Sequence, residues 1–163
     1  MPYSIAILSI PAYYCLAIYP HFEAVKISGN GDVSRHDNRN PKSTQHVEKI
    51  RKFLSPRQFA AYERAERCHT NNLENMPLFV AALLAGLLAD QMQKAGLNGS
   101  LGLGTTSLML NEFALAWLLV RTLYTAAYLK IETKKLSYLR SLCYFIGVGL
   151  CFAELIQAAK VLV

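Results

Sequence analysis

Apolar residues gather in four stretches of this chain, with polar residues between them. A helix needs about 20 mostly apolar residues to cross the hydrocarbon core of a bilayer. The third stretch reaches this length only if it includes Glu112 and Arg121. The pattern predicts an all-α membrane protein whose single domain is a bundle of four transmembrane helices. The four predicted spans cover approximately residues 3–24, 70–90, 107–130 and 139–162.

The polar segment between the first two stretches predicts a loop followed by a helix that begins outside the membrane. Residues 25–55 contain Gly-Asn-Gly and Asn-Pro sequences, which disfavour regular structure. Ser55, Pro56 and Gln58 then form the pattern of a capping box with proline at the first helical position. A helix from Pro56 to about Ala89 is roughly 50 Å long. We therefore expect residues 56–69 to project from the membrane as a helical extension.

Three further features of the chain carry local predictions. The glycine-rich residues 90–106 predict a turn region, and the basic residues 131–138 predict a loop. Pro77 is expected to kink the second transmembrane helix, because proline removes one backbone donor. The first stretch has no basic residues before it and no cleavage-site pattern after it, so we expect a retained helix and not a signal peptide.

The distribution of basic residues predicts the orientation in the membrane. The net charge is +6, and only 17% of residues are charged, against about 25% in a typical soluble domain. The first connection, extended through Arg67, carries ten Lys or Arg residues, whereas the second carries only Lys94. Because cytoplasmic loops are enriched in Lys and Arg, the first and third connections are expected in the cytosol. This topology explains the basic excess, and nucleic-acid binding is not expected.

Polar side chains form a stripe along the second helix where it enters the membrane. Arg64, Arg67, Asn71 and Glu74 follow spacings of three and four, which place them on one helical face. In the third span, Trp117, Arg121, Tyr124 and Tyr128 also share one face, at a similar expected depth. Contacts between helices are one explanation for such residues, and Glu112 and Glu154 fit it well. Two arginines with Asn and Glu also match a ligand that has several carboxylates and an ammonium group.

Three segments resemble the membrane-associated proteins in eicosanoid and glutathione metabolism. They are E-R-A-E-R-C-H-T-N-N-L-E-N-M-P-L-F at residues 63–79, R-T-L-Y-T-A-A-Y at residues 121–128, and L-R-S at residues 139–141. That family includes microsomal glutathione transferases, leukotriene and prostaglandin synthases and a lipoxygenase-activating protein. The resemblance implies a homotrimer in the endoplasmic reticulum or a related membrane. Glutathione would lie between neighbouring subunits near the cytosolic face.

The resemblance also implies roles for individual residues. Arg67, Asn71 and Glu74 match the glutathione contacts of the family, Tyr124 and Tyr128 match its helix-three tyrosines, and Arg64 is a further expected contact. Arg121 lies on the same stripe as the tyrosines and is included among the expected binding residues. Arg140 matches the arginine that stabilises the glutathione thiolate in catalytic members. Lys134 or Lys135 takes that role if the loop aligns differently.

The resemblance therefore implies a glutathione-dependent transferase or peroxidase acting on lipophilic electrophiles or lipid hydroperoxides. The alternative is a non-catalytic, lipid-binding scaffold of the same fold, similar to the lipoxygenase-activating protein. Asn75 and Thr70 depart from the leukotriene-synthase and prostaglandin-synthase patterns, so no particular eicosanoid reaction is implied. Expected partners are glutathione, a lipophilic substrate and membrane lipids. No metal site is expected, because His69 has no further ligand one helical turn away.

Overall fold

The structure is a computed structural model that describes residues 4–96 and 109–162. Within these residues the chain is helical, with no strand. A short 3-10 turn at Val33–Arg35 follows the first helix. The five α-helices are α1 Ile5–Ser28, α2 Thr44–Phe53, α3 Pro56–Lys94, α4 Met109–Lys130 and α5 Lys134–Val161.

Three of these helices, α1, α3 and α5, are long and apolar enough to cross a membrane. The helix α4 has 22 residues, with Glu112, Arg121 and Lys130 among them, and it packs against the other three. The predicted all-α class is confirmed for the described residues. A membrane span by α4, and therefore the four-span architecture, stays a prediction.

The start of α3 agrees with the predicted capping box. The Ser55 hydroxyl accepts a hydrogen bond from the backbone N–H of Gln58, and the Gln58 side chain accepts one from the backbone N–H of Ser55. At 39 residues, α3 is about 58 Å long, and Pro77 lies inside it.

The far end of α3 differs from the prediction. The helix continues to Lys94, past the expected end at Ala89. The Lys94 ammonium lies 2.6 Å from the Asp90 carboxylate one turn earlier, and such a pair stabilises the last turn. Residues 90–94 are therefore helical and not part of a turn region. The later part of that predicted region, from residue 97 onward, lies outside the described residues.

The connection between α1 and α3 contains more regular structure than the predicted loop. The helix α1 continues to Ser28, and α2 begins after the N-cap Ser43. Ile50 of α2 and the following Leu54 are buried with Phe59 of α3. An apolar face that packs on α3 explains why this charged segment is helical, since tertiary packing outweighs weak local preference.

The connection between α4 and α5 is only three residues long, at residues 131–133. The predicted loop at residues 131–138 was wrong beyond Thr133, because α5 begins at Lys134. The helical start places Ser137, Arg140 and Ser141 on one face, at spacings of three and four.

An aromatic cluster holds α1, α3 and α4 together in the interior. Phe79 stacks on Trp117 with ring centroids 4.9 Å apart, and Tyr13 meets both rings edge-on. Gly147 of α5 packs against the same indole, because a Cβ there would lie 3.2 Å from Trp117. The core therefore positions the polar residues that lie one to three turns along α3 and α4.

Candidate functional site

Two adjoining cavities lie where α3, α4 and α5 meet. Each has a volume of about 370 Å³, within the range of about 300–1,000 Å³ that is typical of small-molecule sites. Both are lined by Tyr128 and Arg140, so the two cavities adjoin, and together we call them the cleft. The first, the tyrosine pocket, is lined by Asn71, Tyr124, Tyr128, Ser137, Arg140, Ser141, Tyr144 and Phe145. The second, the arginine pocket, is lined by Ala60, Glu63, Arg64, Arg67, Tyr128 and Arg140.

Asn71 organises the tyrosine pocket. Its side-chain amide donates hydrogen bonds to the hydroxyls of Tyr124 at 3.0 Å and Tyr128 at 3.4 Å. The Arg140 guanidinium lies 4.6 Å from the centroid of the Tyr128 ring, which is a cation–π geometry. Residues of three helices therefore hold two phenol groups and one fixed cation around a single cavity.

The arginine pocket brings three guanidinium groups to one cavity. Arg64 donates a hydrogen bond to the Glu132 carboxylate at 3.1 Å, and its buried Nε has no partner in the described part of the chain. Arg67 is exposed and forms no ion pair with any described residue. Because guanidinium groups bind carboxylates in forked pairs, this pocket suits an anionic ligand with more than one carboxylate.

Arg121 lies inside the bundle and lines neither pocket. Its Nε donates to Oδ1 of Asn72 at 3.1 Å, and Nη2 donates to the same oxygen and to the Asn71 carbonyl at 3.3 Å. The guanidinium also lies 4.2 Å from the centroid of the Tyr124 ring. Of the predicted second stripe, only Tyr124 and Tyr128 reach the cleft.

The family model of the MAPEG family matches residues 5–160. The chain belongs to the MAPEG family. No curated protein and no solved structure matches the chain. The apolar helices and the family together identify an integral membrane protein.

The remaining predicted site residues of this MAPEG protein fall in different places. Glu74 is exposed on α3 and lines neither pocket. Lys134 and Lys135 lie in the first turn of α5, and neither lines either pocket. Of the three candidates for a cation beside the thiol, Arg140 is the one that lines both cavities.

His69 is held in the interior of the MAPEG chain. Its Nδ1 lies 2.8 Å from the Ala17 carbonyl oxygen, and its ring lies 5.1 Å from that of His21. His21 in turn contacts the Glu66 carboxylate at 3.1 Å. Among the described residues, no group of three or more His, Cys, Asp or Glu side chains has the geometry of a metal site.

Sequence reasoning missed two kinds of residue in this site. Asn72 is fully buried and connects Arg121 with the Thr125 hydroxyl, to which its amide donates at 3.1 Å. The sequence pattern that could have indicated Asn72 is a second asparagine directly after Asn71, shortly before the chain becomes apolar. Ser137 and Tyr144 belong to the same face of α5 as Arg140. A helix predicted to begin at Lys134 would have placed both on the face of Arg140, because they lie three and four residues from it.

Proposed function

We propose that this MAPEG protein is a glutathione-dependent transferase or peroxidase, resembling the microsomal glutathione transferases. The observation that carries the proposal is the pair of adjoining cavities, both lined by Tyr128 and Arg140, with Arg64 and Arg67 in the second. This arrangement suits a ligand that has carboxylates at its ends and a thiol between them.

The residues of the cleft fit glutathione, which has two carboxylates, one ammonium group and one thiol. Arg64 and Arg67 provide donors for the carboxylates in the arginine pocket. The second sign of fit is that Arg67 forms no ion pair within the described residues, although Glu63 lines the same pocket, so its guanidinium can pair with a ligand. Arg140 and Tyr128 would then lie beside the thiol.

Arg140 is the residue to which we assign the catalytic role. Glutathione would supply a thiol that, as thiolate, attacks a lipophilic electrophile to form a thioether. With a lipid hydroperoxide it would attack the outer oxygen, break the O–O bond and release the lipid alcohol, and a second glutathione would convert the resulting sulfenic acid to the disulfide and water. The fixed guanidinium of Arg140 lowers the pKa of a neighbouring thiol by favouring its charged form. Asn71 donates to the Tyr124 and Tyr128 hydroxyls, which leaves the phenolic protons free to be donated into the cavity.

The tyrosine pocket also has an apolar side, to which we assign the lipophilic substrate. Tyr144 and Phe145 line it, and Phe145 is 69% exposed on the outer surface of α5. Because α5 is apolar enough to cross the membrane, this exposed ring would face hydrocarbon. A lipid-soluble electrophile would therefore enter from the bilayer, while glutathione enters through the basic connections on the cytosolic side.

The proposal includes a homotrimer in the endoplasmic reticulum or a related membrane. Arg67 and Glu74 are both exposed on the outside of a single chain. Carrying Glu74 at membrane depth is costly unless it meets a partner. A neighbouring subunit would bury it, and the Glu74 carboxylate would then bind the ammonium group of glutathione.

The test is a calorimetric titration of the purified protein with glutathione, together with the ultraviolet absorbance of the thiolate as pH is varied. We expect wild type to bind, Arg67→Ala to lose binding, and Arg140→Ala to bind without a thiolate signal. Arg35→Ala, which changes an arginine paired with Asp32 in the first connection, is the matched control. Equal binding by wild type and Arg67→Ala, or binding by neither, would refute the site. Binding by wild type without thiolate would identify the non-catalytic alternative.

A further inference from the structure

A carboxylate of the chain itself, that of Glu132, is already bonded to Arg64, one of the residues that line the arginine pocket. Glu132 lies in the three-residue connection between α4 and α5. Its Oε1 is 3.1 Å from Nη2 of Arg64 and 3.6 Å from Nε of Arg57. The two arginines are seven residues apart on α3, so they lie two turns apart on the same face. Glu132 therefore bridges two cations that point to the same side of one helix.

The two arginines differ in their surroundings. The Arg64 side chain is 18% exposed and lines the arginine pocket, whereas that of Arg57 is 86% exposed and does not line it. One edge of the Arg64 guanidinium carries Nε and Nη2, the edge that binds a carboxylate through two parallel hydrogen bonds. Glu132 uses only Nη2 of that edge, and Nε is without a partner among the described residues. The bond between Glu132 and Arg64 is therefore weaker than a forked pair.

We propose that Glu132 is an internal competitor for the carboxylate of the ligand. A carboxylate of a small anionic peptide, entering the arginine pocket, displaces Glu132 from Nη2 of Arg64 and then also pairs with Nε, which is buried in the present arrangement. The Glu132 side chain then transfers to Arg57, which it already approaches, and keeps an ion pair at the surface. This inference rests on the proposed function of the arginine pocket as a carboxylate site, and it assigns Glu132 and Arg57 the control of access to Arg64.

The competition predicts opposite effects for two charge-removing variants. Glu132→Gln removes the competing charge and leaves only a weaker, neutral acceptor beside Arg64, so the affinity for the ligand rises by up to about fivefold. Arg57→Gln removes the outward partner, so Glu132 stays on Arg64 and affinity falls severalfold. In the double variant the loss of Arg57 has no effect, because residue 132 no longer carries the charge that Arg57 would draw away from Arg64. Glu48→Gln is the control, since Glu48 also forms an exposed ion pair on a helix, with Arg51 at 3.6 Å.

The experiment is a calorimetric titration of the full chain in detergent with two probes, glutathione and glutarate. Glutarate has two carboxylates but neither thiol nor amine, so it reports on the arginine pocket alone. Tighter binding of either probe by Glu132→Gln, with the Arg57→Gln effect abolished in the double variant, supports the competition. Equal affinities of wild type and Glu132→Gln for both probes overturn it.

The two probes also separate this inference from the proposed function. If the variants bind glutarate with the expected order of affinities and none of them binds glutathione, the competition is supported and the proposed function is refuted. Binding of glutathione with no effect of Glu132→Gln supports the function and overturns the competition. If Arg57→Gln lowers affinity equally in the wild type and in Glu132→Gln, Arg57 acts only through its general charge, and the competition is overturned. Failure of both probes to bind any variant overturns both.

Discussion

The Arg121 guanidinium donates a hydrogen bond from Nε to the side-chain oxygen of Asn72 at 3.1 Å, and both side chains are fully buried. The adjacent Asn71 carbonyl accepts a second bond from the same guanidinium, while the Asn71 side chain turns toward the cleft. Two neighbouring asparagines therefore join the interior of the bundle to the candidate site.

Replacing Asn72 with leucine is expected to destabilise the fold by about 1.5–3 kcal/mol, because it leaves the buried Arg121 with the Asn71 carbonyl and without its side-chain acceptor. Asn72→Asp is the control, since a carboxylate of the same size restores an acceptor for Arg121. Thermal unfolding in detergent, followed by circular dichroism, measures the difference. An unchanged midpoint for Asn72→Leu would show that Arg121 does not depend on this bond.

Replacing Asn71 with alanine is expected to weaken glutathione binding about tenfold while leaving the fold intact. The variant removes the donor shared by the Tyr124 and Tyr128 hydroxyls, and one such bond contributes about 0.5–1.5 kcal/mol. Thr122→Ala is the matched control, because its hydroxyl bonds only to the Leu118 carbonyl on an exposed face. Calorimetry of both variants checks the prediction, and equal affinities would contradict it.

Replacing Ser55 with alanine is expected to cost about 1 kcal/mol by removing the N-cap of α3. Ser55→Thr keeps the hydroxyl and should retain most of the stability. The backbone amide of Gln58 donates a hydrogen bond to the Ser55 hydroxyl. Hydrogen exchange at this amide therefore reports the loss of the cap locally. Protection of that amide in Ser55→Ala equal to wild type would refute the assigned cap.

The connection between α1 and α3 is expected to lose order as pH falls. The pKa of His36 is lowered from its ordinary value of 6.5, first by burial and then by the neighbouring His46 and His21. The negative charges of Glu66 and Asp37 oppose this shift. Because the folded pKa lies below the unfolded one, the stabilisation is complete above pH 6.5. It is lost as pH falls through the folded pKa. Imidazole titration by NMR measures this, and a pKa above 6.5 would contradict it.

The proposed homotrimer is expected to have three times the mass of the 18.2 kDa chain. Light scattering in mild detergent, with the detergent contribution subtracted, gives the protein mass. With glutathione bound, the variant Glu74→Gln should weaken the assembly, because Glu74 is exposed on the single chain and its proposed partner at the interface is the ammonium group of glutathione. A monomeric mass for wild type would refute the proposed subunit interface.

Local sequence signals predicted the elements whose causes are local. The capping box at Ser55 and the helix that follows it depend on residues within one turn. The family motif at residues 63–79 likewise identified the family that matches residues 5–160. One boundary failed because tertiary packing decided it: burial of Ile50 against α3 made a helix of the charged segment α2. The start of α5 at Lys134 was also missed, and Lys134, Lys135 and Leu136 are exposed there, so burial does not account for it.

In the candidate site, too, the sequence identified residues, whereas the tertiary structure decided where their side chains lie. Helical spacing alone put Arg64, Arg67 and Asn71 on one stripe, because each step of three or four residues returns to the same face. It could not tell that Arg121 turns inward while Tyr124, one turn later, reaches the cleft. That outcome depends on Asn72, on a different helix, which supplies the acceptor for Arg121. The sequence by itself determined the four long helices, the family and the arginines and tyrosines of the site. Only the tertiary structure decided which charges meet the cavity, because burial and pairing depend on neighbours far apart in the chain.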